Sequence, residues 1–118
     1  EYYKVEYLDT AKHSAWRPLA WCHFLMRDFE KSRKYYTLIF TDDTPKESDY
    51  LNLGHLCLAE NRFNDAIQYY YGIFTSLNHD LQAFAEKWRA DIPHLLQAGI
   101  KESDIPLLLD AIMLRLKE

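Results

Sequence analysis

The residues with the most evident chemistry are two cysteines and the histidines near them: Cys22 beside His23, and His55 two residues before Cys57. Thiolate and imidazole are the donors of zinc sites, so a metal centre is the first chemistry to test. Residues two apart on a helix point about 200° away from each other, so His55 and Cys57 cannot serve one ion from a single helix. No CxxC pair is present. The reading is therefore no metal, with both thiols acting as small hydrophobes in a reducing, cytoplasmic setting. The acidic pair Asp42–Asp43 falls in a connection between helices and reads as solvated. The sequence contains no GxSxG, P-loop, HExxH or dinucleotide fingerprint. Neither a catalytic residue nor a cofactor is expected.

Tyrosines come in runs: "EYYKVEY" at 1–7, "KYYTLIF" at 34–40 and "QYYYGIF" at 68–74. Aromatic runs can stack on single-stranded bases, but no basic groove accompanies these. The net charge of −4 argues against nucleic acid or an anionic membrane as partner. No apolar run approaches the ~20 residues of a membrane span, and no signal peptide opens the chain.

The runs have a packing explanation instead. Tyr2, Tyr36 and Tyr70 recur every 34 residues, and Val5, Ile39 and Ile73 keep the same step. A fixed period of this size signals stacked supersecondary units. Composition, 48% apolar and 27% charged, is that of one folded domain.

The units read as helical hairpins. In residues 44–47, Thr44 can cap, Pro45 suits the first helical position and Glu47 can close a capping box. Tyr50, Leu53, Gly54 and Cys57 follow helical spacing, and Asn61 suits a left-handed turn. A second helix carries Phe63, Ala66, Ile67, Tyr70 and Ile73. The preceding unit repeats the plan. Ser14 is its cap, Trp16, Leu19, Ala20 and His23 its first stripe, 27–28 its turn, and Phe29, Ser32, Tyr36 and Ile39 its second stripe. Pro18 must then lie in the first turn. Gly54 with Ala20, and Ala66 with Ser32, leave room where two helices cross closely. Gly54 costs roughly 1 kcal/mol of helix propensity against Ala, so close packing explains it.

This pattern resembles the tetratricopeptide repeat family. Trp16–Leu19–Ala20 with Phe29, Ser32 and Tyr36 carry the resemblance in one unit, and Tyr50–Leu53–Gly54 with Phe63, Ala66 and Tyr70 in the next. It covers about residues 1–77. Ser32 departs from the family's usual Ala, and Pro45 comes one residue late for the closing proline. The resemblance implies an all-α, right-handed solenoid of helical hairpins. Residues 1–12 would be the second helix of a truncated repeat, 13–43 and 44–77 full repeats, and 78–118 a divergent helical cap. With Glu1 in place of an initiator Met, this suggests a piece of a longer array. Within 78–118, residues 79–90 should be helical. "DIPHLL" (91–96) and "DIPLLL" (104–109) read as helix starts with Asp as cap and Pro in the first turn. Gly99 ends the first, and the last runs from Ile105 to Lys117.

Function follows from what the packing leaves over. Arg17, Trp21 and Phe24 share the opposite side of the first helix, with Leu51, His55 and Leu58 as counterparts and Ala85, Arg89 and Ile92 continuing the series. In proteins similar to this one that stripe lines a concave peptide-binding groove. Trp21, Phe24, Leu51 and Leu58 would be apolar anchors, and Arg17, His55 and Arg89 polar contacts. Lys and Asn, which hold C-terminal carboxylates in some family members, are not at these positions. The expectation is a non-catalytic module that binds a protein or peptide. Covering of the stripe by the chain's own C-terminal helix is the competing reading. A second function, a structural domain that forms homo-oligomers, comes from Leu107, Ala111 and Leu114, which make the last helix apolar nearly all round.

Overall fold

The computed structural model describes residues 13–42 and 44–118 of the 118-residue chain. The remnant repeat expected over 1–12 lies outside them. Among the described residues the fold is all-helical: α1 (His13–Leu25), α2 (Phe29–Asp42), α3 (Glu47–Ala59), α4 (Phe63–Ser76), α5 (Leu81–Ala90), α6 (Ile92–Gln97) and α7 (Ile105–Lys117), with a 3-10 turn at Glu102–Asp104 before the last. No strand occurs among them.

The helices pair as the small residues dictate. α1 packs along α2 and α3 along α4, each pair joined by three residues. Chain reversal in so short a link needs a left-handed residue, and Arg27 (φ 62°) and Asn61 (φ 62°) supply it. Gly54 and Ala66 are both buried in the second pair. A Cβ at position 54 would sit 2.5 Å from Tyr70 Cε1, so only glycine admits the ring there. Gly72 stands in the same relation to Tyr50, at 2.8 Å. In the first pair Ala20 and Ser32 are fully buried. The Ser32 hydroxyl donates to the Ala20 carbonyl at 2.8 Å, which satisfies it where Ala would have nothing to satisfy.

Helix starts differ from expectation in four places, one being Asp104, which precedes α7 but makes no side-chain cap bond. α3 begins at Glu47, not at Pro45, because Asp49 accepts the Lys46 N–H at 2.7 Å and so caps the helix from inside its first turn. α1 already includes His13, which puts Pro18 within the helix and beyond its first turn. Asp91 precedes α6 but does not cap it, since its carboxylate is engaged elsewhere. Asp80, by contrast, caps α5 by accepting from Ala83 N at 3.1 Å.

Two apolar clusters fill the interior. One joins α1 and α2 to Leu53 and Leu56 of α3, and takes in Ala98 from after α6. The other joins α3 and α4 to α5, α6 and α7. Tyr69 touches both. The second hairpin thus stacks on the first, and the C-terminal helices stack on the second. α6 then returns to α1. Arg27 Nε donates to the Gln97 carbonyl at 2.9 Å, Gln97 Nε2 donates to the Leu25 carbonyl at 3.3 Å, and His94 meets the Trp21 ring edge-on at 5.1 Å. Gly99, at φ 107°, turns the chain out of α6 toward α7.

Candidate functional site

The seven residues expected to line an open groove do not share a solvent-facing surface. Phe24, His55 and Leu58 are buried, Arg17, Trp21 and Leu51 are half-buried, and Arg89 is exposed. Phe24 stacks on Trp21 with ring centroids 5.2 Å apart, inside the first cluster. Leu58 and Leu51 pack in the second. The correction has a simple cause. Four of the seven, Trp21, Phe24, Leu51 and Leu58, are apolar, and α6 with Ala98 supplies cover that exposed apolar surface favours. Phe24, His55 and Leu58 are therefore not accessible anchors.

Arg17 is committed to the next hairpin. Its Nε donates to both Asp49 carboxylate oxygens at 3.0 and 2.9 Å, and its Nη2 to Oδ2 at 2.7 Å and to the Thr44 carbonyl at 3.1 Å. Asp49 is almost fully buried, so the fork of the guanidinium supplies the charge compensation that burial demands. A second ion pair, Arg33 with Glu60, ties α2 to the end of α3.

His55 sits in a largely buried polar network. Trp88 Nε1 donates to the Tyr70 hydroxyl at 3.1 Å, the hydroxyl lies 2.7 Å from His55 Nδ1, and His55 Nε2 lies 2.9 Å from Asp91 Oδ2. The protons follow from the inventory of donors. Indole can only donate, so the Tyr70 oxygen accepts from it and gives its own proton to Nδ1. The imidazole proton is then on Nε2 and goes to the carboxylate. Burial holds His55 below its ordinary pKa, with Asp91 opposing, and so favours the neutral ring this scheme needs. Burial likewise pushes Tyr70 well above the usual tyrosine range, against the pull of the Trp88 bond. A histidine between a tyrosine and an aspartate has the composition of a general base. Here His55 and Tyr70 are fully buried, and only Asp91 of the three is partly exposed. The arrangement clamps α3, α4 and α5 to the start of α6.

Cys57 is buried, and burial raises its thiol pKa, with Arg33 opposing; Cys22 is exposed and unbridged. No three His, Cys, Asp or Glu groups converge to hold a metal among the described residues. No helix among them is long and apolar enough to cross a membrane.

Two surface features stand apart. A half-open cleft of about 420 Å³ is lined by Leu58, Ala59, Ile100, Leu107 and Leu108, with Lys101 and Asp104 as its charged residues. Next to it, α7 turns Leu107 (69% exposed) and Leu114 (63% exposed) to solvent. The polar links Asp49 and Asp91 were not foreseen in the sequence. Arg17 offered the one hint, as a charge at a position whose counterpart, Leu51, is apolar. Among the described residues these features define a packed, all-helical domain that exposes Leu107 and Leu114 on α7, with Met26 and Tyr71 as the other large exposed apolar side chains. Comparison with protein-family models, with curated proteins and with solved structures finds no match to this chain.

Proposed function

We propose that the chain is a tetratricopeptide-like helical-hairpin module that works as a non-catalytic protein–protein interaction scaffold. Its contact surface is the outward face of α7, not the inner face of the first helices. The observation that carries this reading is the uneven use of apolar side chains. Phe24 and Leu58 are spent on the interior, whereas Leu107 and Leu114 are left in solvent. Large apolar groups grouped on one helix face favour a macromolecular contact over a solvated surface. Support for the repeat architecture comes from equivalent packing 34 residues apart: Ala20 and Ser32 in one hairpin, Gly54 and Ala66 in the next, all buried. The two unbridged cysteines support a cytoplasmic setting.

A second reading, a structural or oligomerisation domain built on the same helix, draws on the same two leucines. The scaffold reading is tested with the purified chain as bait in a native lysate. Leu107→Glu with Leu114→Glu should abolish protein recovery while leaving the helical circular dichroism unchanged, and Arg89→Glu should leave recovery intact. Recovery that depends on Arg89 and ignores α7 would return the contact surface to the inner side.

A further inference from the structure

The outward face of α7 carries a pattern that is its own complement, and it deepens the reading above by naming a partner. Leu107 comes four residues before Ala111, and Leu114 three after it. On a helix these three lie within about 60° of one another. Asp110 is exposed on the same side, while Ile105, Leu109, Ile112 and Leu116 are buried on the other. We propose that this face pairs with the same face of a second copy of the chain, α7 antiparallel to α7, about a twofold axis passing beside Ala111.

Three features select that occupant. Turned end for end about Asp110–Ala111, Leu107 falls opposite Leu114 of the partner subunit, and the small Ala111 at the crossing lets the two axes approach. An isologous contact of this kind needs a patch that complements itself. The charges have the same symmetry. Glu102 and Asp104 stand at the start of α7, and Arg115 and Lys117 in its last turn. Antiparallel pairing sets each acidic start beside a basic end, whereas parallel pairing would set like charges together. Asp104 and Lys117 are exposed and have no ion pair of their own among the described residues, so both are available. Arg115 is partly occupied by Asn64, at 2.9 Å, by the Phe63 ring and by Glu118, 3.9 Å away at the end of the same helix. The third feature is the cleft, which Asp104 and Leu107 both line, so the last turn of the second copy arrives at its mouth. Asp110 meets its own copy near the axis, a like-charge contact that weakens the pair. One helix face per subunit is small for a stable interface, and the dimer is of the weak, concentration-dependent kind.

Sedimentation equilibrium over a concentration series tests this, in a Cys22→Ser background. The mass should rise from one chain toward two. Leu107→Glu should raise the dissociation constant by at least ~tenfold and Asp110→Asn should lower it, the like charge near the axis having been removed. Arg115→Glu with Lys117→Glu should weaken self-association, and mixing that variant with Glu102→Lys/Asp104→Lys should restore a dimer of the two. Ala111→Cys should cross-link to itself under oxidation. The mass of a single chain at every concentration would overturn the proposal, as would a dimer indifferent to Leu107 and Leu114. A strict monomer that still recovers another protein through α7 would overturn it and leave the scaffold reading standing. A dimer that recovers nothing else would support it and reduce the scaffold to self-association.

Discussion

Tyr36 in α2 and Tyr70 in α4 stand 34 residues apart, and both are buried. Their hydroxyls meet different neighbours. Tyr36 faces Asp49 and Asn52 of the following hairpin, and burial and the Asp49 charge both raise its pKa. Tyr70 faces Trp88 and His55 in a chain of hydrogen bonds that ends on the Asp91 carboxylate. Between the two hairpins the polar ties are ionic, Arg17 with Asp49 and Arg33 with Glu60. Between the second hairpin and the C-terminal helices the buried tie is His55 with Asp91, with Lys87–Glu47 and Arg115–Asn64 joining the same elements at the surface. Packing repeats because the steric demand at a helix crossing is the same each time. Polar ties do not repeat, because each answers to whatever stacks next.

The largest expected effect falls on the ionic tie. Asp49→Ala strips the partner from Arg17 and the cap from Lys46 N, and should cost about 3 kcal/mol in urea denaturation. A loss smaller than that of Tyr70→Phe would reverse the ranking of the two ties. Gly54→Val comes next. Its side chain would collide with a ring already held by two hydrogen bonds, for a loss of about 2–3 kcal/mol. Ala20→Gly, at the equivalent place, should lose only about 1 kcal/mol of helix propensity. Equal losses at 20 and 54 would mean that the two crossings are not alike in how tightly they pack.

Tyr70→Phe should cost about 2 kcal/mol, since it leaves the Trp88 N–H and His55 Nδ1 buried without a partner. The same change at Tyr36, whose hydroxyl is buried without a hydrogen-bond partner among the described residues, should be close to neutral. The smallest effect is on pH. His55 keeps its folded pKa below the ordinary 6.5, so the unfolded chain takes up this proton first as pH falls. Its contribution is whole above 6.5 and is lost as pH drops from there toward the folded value, at no more than about 1.4 kcal/mol per pH unit. Thermal melts of wild type and His55→Gln between neutral and mildly acidic pH should differ in slope by that component. Identical slopes would remove His55 from the account.

Much of this was legible beforehand, and for identifiable reasons. The left-handed turn at Asn61 follows from a side chain that tolerates positive φ, and the end of α6 at Gly99 from the same logic. Gly54 announced a close crossing because nothing else repays its cost in a helix. The span of α7, Ile105 to Lys117, followed from its start signal. Asp91 and Asp104 were both misread as caps, and Asp49 was not singled out at all. A carboxylate's local options look alike in sequence whether it ends up on its own helix or on a residue 32 or 36 positions away.

By itself the sequence determined which residues pack within each hairpin, since spacing along a helix fixes its faces and short links leave the chain one way to turn back. It also determined that more apolar faces exist than two hairpins can cover. Only the tertiary structure decided which of them is covered. α6 closes over Phe24 and Trp21, and Leu107 and Leu114 stay outside, because a turn at Gly99 sends α7 to the second hairpin and leaves its far face unmatched. That choice depends on the path of the chain through space, and side-chain periodicity carries no record of it.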